Sequence, residues 1–84
     1  MSYVLISCRS LTYAQRMASL LEKFGIWANV VRTPKRLSAS GCGYSVKIAD
    51  ADLDIVLEVI HENHMSYRNI FRISENGKYE EVLP

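Results

Sequence analysis

The chain has 84 residues, of which 49% are hydrophobic and 23% charged, and its formal net charge is +1. This composition is typical of a folded domain and excludes a disordered, collagen-like or low-complexity chain. The near-neutral charge argues against a protein that binds nucleic acid or anionic membranes through overall charge. We therefore expect one domain spanning residues 1–84.

The first half of the chain predicts a strand, a helix and a second strand. Residues 3–8 are short and apolar, as expected of a strand, and Ser10 or Thr12 can cap the helix that follows. Gly25 is expected to end this helix in a left-handed conformation. Residues 26–32 predict the second strand. The apolar stripe of the helix consists of Ala14, Met17, Ala18, Leu21 and Phe24.

A polar loop over residues 33–43 leads into a third strand at residues 44–48. Apolar and polar side chains alternate strictly along this strand. The alternation places Tyr44, Val46 and Ile48 on the face that meets the core.

A second helix and one or two further strands complete the predicted elements. Asp50 or Asp52 is expected to cap the helix. Residues 69–74 predict a fourth strand. Asn76-Gly77 is a strong signal for a two-residue hairpin turn, which would return the chain as a short fifth strand over residues 78–82. The apolar stripe of the second helix consists of Leu53, Val56, Leu57 and Ile60.

The order strand, helix, strand, strand, helix, strand is that of the ferredoxin-like βαββαβ sandwich. We expect an α+β fold in which a four- to five-stranded antiparallel sheet carries both helices on one face. The first and third strands would be central neighbours. Cys8 at the end of the first strand and Cys42 before the third would then share one end of the sheet with the start of the first helix.

Charge divides between the two halves of the chain. Residues 1–48 contain seven Lys or Arg and one Glu, whereas residues 49–84 contain three Lys or Arg and eight Asp or Glu. The predicted topology puts the basic loop with Arg32, Lys35 and Arg36 at the end of the sheet that holds the cysteines.

This environment favours a reactive thiolate at Cys42. A helix N-terminus stabilises a nearby anion by roughly 0.3–1 kcal/mol, and a shielded Arg or Lys adds a similar amount. Together they would lower the thiol pKa by about one to two units from about 8.5. The adjacent Gly41 and Gly43 would allow the exposure that a nucleophile or sulfur carrier needs.

The segment from Arg32 to Val46, with Ser40-Gly41-Cys42-Gly43 after Pro34 and Arg36, resembles the selenium/sulfur carrier-like family. The resemblance covers nearly the whole chain, and the Cys-Gly loop is its specific part. It implies that Cys42 carries a persulfide or selenopersulfide sulfur between a donor, such as a cysteine desulfurase, and an acceptor protein. Such a protein is a carrier rather than a stand-alone enzyme, and it needs no cofactor.

Supporting roles follow for the residues around Cys42. Lys35 or Arg36 would hold the anionic sulfur or steer a partner, and Ser40 would belong to the loop itself. Cys8 could resolve the persulfide as a disulfide if it lies within reach, although a plain core residue is the favoured interpretation.

Other interpretations stay open from the sequence. Cys42 could be an inert buried thiol, and the chain could be a regulatory or protein-interaction module without chemistry. RNA binding is disfavoured, because Cys42 stands where RNA-recognition domains carry an aromatic residue and Tyr44 falls on the core side. His61 and His64 lack a third metal ligand.

The face of the sheet opposite the helices is expected to expose a large apolar patch. The alternation points Trp27 and Val31 outward, together with Tyr3, Leu5 and Ile70. Such patches usually mark interfaces, so we expect a homodimer through this face. The C-terminal Tyr79, Val82 and Leu83 could cover part of it.

The sequence contains no feature of a membrane or secreted protein. No apolar run reaches the roughly 18–20 residues of a membrane helix, and no basic region precedes the first apolar stretch. We therefore expect a cytoplasmic protein with free thiols.

Overall fold

A computed structural model of the chain, in which residues 2–37 and 43–82 are described, has an α+β fold. Its strands are β1 (Tyr3–Cys8), β2 (Asn29–Arg32), β3 (Tyr44–Ala49), β4 (Asn69–Ile73) and β5 (Tyr79–Glu81), and its helices are α1 (Leu11–Lys23) and α2 (Leu53–Glu62). The strands form one antiparallel sheet in the order β2-β3-β1-β4-β5. The ferredoxin-like arrangement with β1 and β3 in the middle is confirmed.

The core lies between the sheet and the two helices. Val4, Ile6 and Cys8 of β1 belong to one buried cluster with the apolar stripes of α1 and α2. Because alternate residues of a strand point to opposite faces, these residues define the helix-covered face of the sheet. Tyr44, Val46 and Ile48 face the same side, as predicted. The assignment of Phe24 to the stripe of α1 is wrong, because this side chain is 57% exposed at the helix end.

The sheet has two ends that are named here by the terminal residues of β1. At the Cys8 end, Cys8 pairs with Tyr44, and Tyr44 pairs with Arg32 on its other side. At the Tyr3 end, Tyr3 pairs with Ala49 and with Ile73. Five residue steps separate the two ends, which is roughly 17 Å along the strand.

Both helices end in the same hydrogen-bonding motif. In α1 the amide of Ile26 donates to the carbonyl of Leu21, and in α2 the amide of Met65 donates to that of Ile60. This is the Schellman motif, which requires a left-handed residue just beyond the helix. Gly25 fills that position after α1 with φ +75°, and His64 fills it after α2 with φ +54°.

The helix starts are only partly as predicted. Ser10 caps α1, because its hydroxyl accepts a hydrogen bond from the amide of Tyr13 at 3.2 Å. Asp52 stands at the N-cap position of α2, one of the two predicted residues, but its side chain makes no capping hydrogen bond. Asp50 instead begins a short 3₁₀ turn and accepts a bifurcated hydrogen bond, in which Nε of Arg72 lies 3.1 Å from each carboxylate oxygen.

Two strand boundaries also differ from the prediction. The ladder of β2 with β3 begins at Asn29 rather than at residue 26, although Ile26 and Ala28 are buried on the helix-covered face as expected. The predicted two-residue hairpin is a three-residue loop. Ser74 and Lys78 form its last bonded pair, and Gly77 takes φ +80°. A three-residue loop with a left-handed glycine preserves the strand twist equally well.

The open face, opposite the helices, is more covered than predicted. Leu5 and its register partner Phe71 are both buried on this face within the single chain. The assignment of Ile70 to this face is wrong, because Ile70 joins the helix-covered core. Trp27 remains 52% exposed beside the ring of Tyr3. The burial of Leu5 removes much of the motive for the homodimer, which stays a prediction.

Candidate functional site

The predicted thiol site lies in the connection between β2 and β3. Ser40, Gly41 and Cys42 fall outside the described residues, whereas the flanking residues 33–37 and 43 are described. The two anchors of the site are these described flanks, residues 33–37 after β2 and residue 43 before β3.

The two anchors are joined directly at the Cys8 end. The amide of Thr33 donates a hydrogen bond to the carbonyl of Gly43 at 3.0 Å. The hydroxyls of Thr33 and Ser45 are hydrogen-bonded at 2.6 Å, and both side chains are buried, with exposed fractions of 5% and 0%. Because a buried hydroxyl is costly when it lacks a partner, this pair fixes where the connection leaves β2 and re-enters β3.

The buried pair was not anticipated from the sequence. In the alternation of β3, Ser45 is an outward-facing polar residue, and Thr33 directly follows β2. The structure buries both side chains and brings their hydroxyls into contact. No local pattern in the sequence signals a contact that spans twelve residues.

Cys8 is a core residue. It is 3% exposed, and its thiol donates weakly to the carbonyl of Ile6 at 3.7 Å. Burial raises the pKa of the Cys8 thiol to about 11, so the neutral form predominates at physiological pH. These properties match the plain core interpretation and give no support to a resolving thiol, which needs exposure and thiolate character.

Exposed arginines gather at the Cys8 end. Arg9 stacks over the ring of Tyr13, with 4.0 Å from the guanidinium carbon to the ring centroid, and also hydrogen-bonds its hydroxyl. Arg32 lies 5.9 Å from the ring centroid of its strand neighbour Tyr44. Arg68 belongs to the same end, because its amide donates to the carbonyl of Ser7 at 2.8 Å.

The basic loop residues are not all at this end. The guanidinium of Arg36 lies 4.7 Å from the ring centroid of Tyr79. Tyr79 pairs with Ile73, which in turn pairs with Tyr3, so the prediction that Arg36 lies at the Cys8 end is wrong. From the 3₁₀ turn after β2, the side chain of Arg36 thus extends over the open face to the Tyr3 end. Lys35 is exposed in the 3₁₀ turn that also contains Arg36.

A groove on the helix side borders the Cys8 end. It runs along α1 and is closed on its other side by the turn that follows α2, with a volume of about 670 Å³. The sequence offered no sign of this groove, because its two walls are some forty residues apart. The side chains that line it include Tyr13, Arg16, Leu20, Lys23, His64 and Met65.

Over residues 2–37 and 43–82, no three His, Cys, Asp or Glu side chains are grouped so that they could hold a metal ion. Within the same ranges, neither helix is long and apolar enough to span a membrane.

Comparisons with known proteins place the chain at the level of a family. No curated protein and no solved structure matches it. Residues 3–72 match the family model described as "Putative Se/S carrier protein-like", a range that includes the cysteine segment from Ser40 to Gly43. The chain therefore belongs to the Se/S carrier protein-like family.

Proposed function

We propose that the protein carries sulfur or selenium as a persulfide or selenopersulfide on Cys42 and transfers it between partner proteins. The observation that carries the proposal is the family match over residues 3–72, combined with the segment Ser40-Gly41-Cys42-Gly43. The family description supplies the carrier role, and Cys42 is the cysteine whose glycine neighbours suit an accessible sulfur.

The choice between the two cysteines is supported by the environment of Cys8. A carrier sulfur must meet a partner's sulfur in line, which a side chain exposed by only 3% cannot do without unfolding. The pKa of Cys8, raised to about 11 by burial, further removes its thiolate. The environment of Cys8 therefore favours Cys42 as the carrier thiol in this proposal.

Loading is a thiol–persulfide exchange that involves no net oxidation. The Cys42 thiolate attacks the outer sulfur of a donor cysteine persulfide, forming a new S–S bond. The S–S bond of the donor breaks, and the donor cysteine leaves as a thiolate that takes up the proton released by Cys42. Attack of an acceptor thiolate on the outer sulfur of loaded Cys42 reverses these roles and unloads the carrier.

Positive groups at the Cys8 end support activation of the thiol. Gly43, the covalent neighbour of Cys42, is held there by Thr33. The same end contains the capped N-terminus of α1 and the guanidinium groups of Arg9 and Arg32. Each favours an anion, so we expect a Cys42 pKa below the ordinary value of about 8.5. Arg36, which stacks on Tyr79, has no support as a ligand of the anionic sulfur.

The test is the intact mass of the protein after incubation with a cysteine desulfurase and cysteine. Wild type and Cys8→Ser are expected to gain one sulfur atom, whereas Cys42→Ser gains none. Equal loading of wild type and Cys42→Ser would end the proposal. Iodoacetamide labelling against pH in the Cys8→Ser background measures the pKa of Cys42, and a value above about 8.5 would exclude the proposed activation.

The alternative of an interaction module without chemistry makes the opposite prediction. Such a module would bind its partners equally well with Cys42→Ser and would gain no sulfur in the mass measurement. RNA binding through the open face receives no support, because Tyr44 packs on the helix-covered face and Phe71 is buried.

A further inference from the structure

We infer that the groove along α1, together with the arginines at the Cys8 end, is the docking surface for an acidic patch on a partner protein. The inference rests on the proposed function, since it names the kind of protein that would exchange sulfur with Cys42. It concerns only residues outside the cysteine segment, so it can be tested separately.

The groove is basic and partly apolar. Arg16 and Lys23 lie along its α1 wall, and His64 lies on the opposite wall. No carboxylate is found among its described lining residues. Leu20 and Met65 supply apolar surface between the charged groups, which suits a protein segment better than a bare polyanion.

The neighbouring arginines are available to a partner. Arg9, Arg32 and Arg68 form no ion pair with any described residue, and all three are exposed. Two of them are oriented by stacking on tyrosines, which reduces the side-chain entropy lost on binding. Among the described residues, carboxylates at this end include Glu62, at the exposed last turn of α2, and Glu81, which accepts a hydrogen bond from Asn69.

The backbone of His64 gives an independent argument. A left-handed conformation costs a residue other than glycine roughly 1–2 kcal/mol, and the equivalent position after α1 is Gly25. A strained residue at the wall of a groove indicates that its side chain is used there. In the proposed complex, the side chain of His64 makes a polar contact with the partner that glycine could not make.

The distribution of charge selects a protein partner over RNA. The start of α2, at the Tyr3 end, carries Asp50, Asp52 and Asp54. An extended polyanion would be attracted to one end of the molecule and repelled by the other, and the net charge is only +1. A localised acidic patch meets the basic surface without reaching the acidic one.

The binding experiment uses a ten-residue glutamate-rich peptide as the probe, titrated into the ¹⁵N-labelled Cys42→Ser protein at low salt. We expect amide shifts at Tyr13, Arg16, Leu20 and Met65, and affinity about tenfold lower for Arg16→Glu, as like charges then face each other. Lys78→Glu is the matched control, because it changes the net charge equally in the exposed hairpin at the Tyr3 end. It is expected to bind within twofold of the parent.

Three outcomes would overturn the inference. They are the absence of binding, equal weakening by Arg16→Glu and Lys78→Glu, and shifts centred outside the groove. A decauridylate titrated in parallel must bind more weakly than the peptide, since tighter binding would assign the surface to RNA. His64→Gly is expected to lower the affinity for the peptide and to raise the thermal stability of the protein. A loss of affinity in a more stable variant separates a lost contact from a folding defect.

A second arm links docking to sulfur transfer. The rate of persulfide loading by a cysteine desulfurase is expected to fall severalfold for Arg16→Glu and to stay unchanged for Lys78→Glu. If peptide binding holds but no variant is ever loaded, the proposed function fails and the docking surface stands. If wild type and Arg16→Glu are loaded at the same rate, the docking surface fails and the proposed function stands.

Discussion

The two ends of the sheet use charge in different ways. At the Tyr3 end, Arg72 is paired with Asp50, and the start of α2 adds the carboxylates of Asp52 and Asp54. At the Cys8 end, three exposed arginines form no ion pair with a described residue. Charges that are satisfied within the chain contribute to folding, whereas unpaired cations of one sign remain available to a partner.

The helix ends repeat this contrast. Helix α1 finishes at the Tyr3 end with Gly25, which adopts the left-handed conformation without strain, and α2 finishes toward the Cys8 end with His64, which does not. The same motif is thus relaxed at one end and strained at the other. The two ends therefore differ in both respects: the Tyr3 end has a paired arginine and a relaxed helix terminus, and the Cys8 end has exposed arginines and a strained helix terminus.

The largest expected effect concerns pH and Cys8. Because burial raises the pKa of this thiol to about 11, the unfolded chain loses its thiol proton first as pH rises. The stabilising contribution of the neutral thiol is fully present below about pH 8.5 and is lost progressively up to about pH 11. The loss amounts to about 2–3 kcal/mol of unfolding free energy.

Urea unfolding at pH 8 and at pH 11 measures this loss. Other groups also titrate in this range, so Cys8→Ala is the control, and its stability should fall by about 2–3 kcal/mol less than that of wild type. Identical pH dependence in the two proteins would show that Cys8 is not the group responsible.

The next effect concerns the buried hydroxyl pair at the Cys8 end. Ser45→Ala leaves the hydroxyl of Thr33 without its partner and is expected to lower the unfolding free energy by about 1–3 kcal/mol. The double variant Thr33→Val with Ser45→Ala removes both polar groups and should recover most of the loss. Additive losses in this double-mutant cycle, measured by urea unfolding, would contradict a coupled pair.

Substitutions at the two helix ends should change the unfolding free energy in opposite directions. A Cβ at Gly25 would meet no atom within 4 Å, so Gly25→Ala tests conformation without a steric clash. It should cost about 1 kcal/mol, whereas His64→Gly should stabilise by a similar amount. Thermal unfolding of the two variants checks the signs. Destabilisation by both would mean that His64 makes a stabilising contact that outweighs its backbone strain.

The smallest effect belongs to the ion pair at the Tyr3 end. The Arg72 and Asp50 side chains are 36% and 30% exposed, so we expect a coupling of only about 0.2–1 kcal/mol. A cycle of Arg72→Met and Asp50→Asn, repeated at high salt, measures it. The coupling should shrink with salt, and a value that exceeds that of Thr33 and Ser45 would contradict the expectation that the buried pair stabilises the fold more than the exposed ion pair does.

Local patterns in the sequence were sufficient for the elements and for much of the core. The alternation of β3 and four of the five predicted stripe residues of α1 correctly identified the side chains between the sheet and the helices, since burial of one face imposes these periods. Gly25 and Ser10 were recognised because caps are local backbone chemistry. The family resemblance, which rests on the segment around Cys42, was confirmed by the family match.

The failures occurred where two local solutions are nearly equal in energy. Asp50 could cap a helix or pair with a cation, and only the position of Arg72 on β4 decided for the ion pair. Asn76-Gly77 fits hairpin loops of two or three residues, and the register of β4 with β5 selected the longer one. In the first case the deciding partner lies 22 residues away in the sequence.

By itself, the sequence determined the order of elements, the helix-covered face of the sheet, the division of charge and the cysteine segment. Only the tertiary structure brought Thr33 against Ser45, carried Arg36 across the open face to Tyr79, and set α1 beside the turn that follows α2. The physical reason is the distance along the sequence over which each interaction acts. Periodicity and capping act over a few residues, whereas the open-face cover, the groove and the two unlike ends arise from contacts that form only when the whole sheet has assembled.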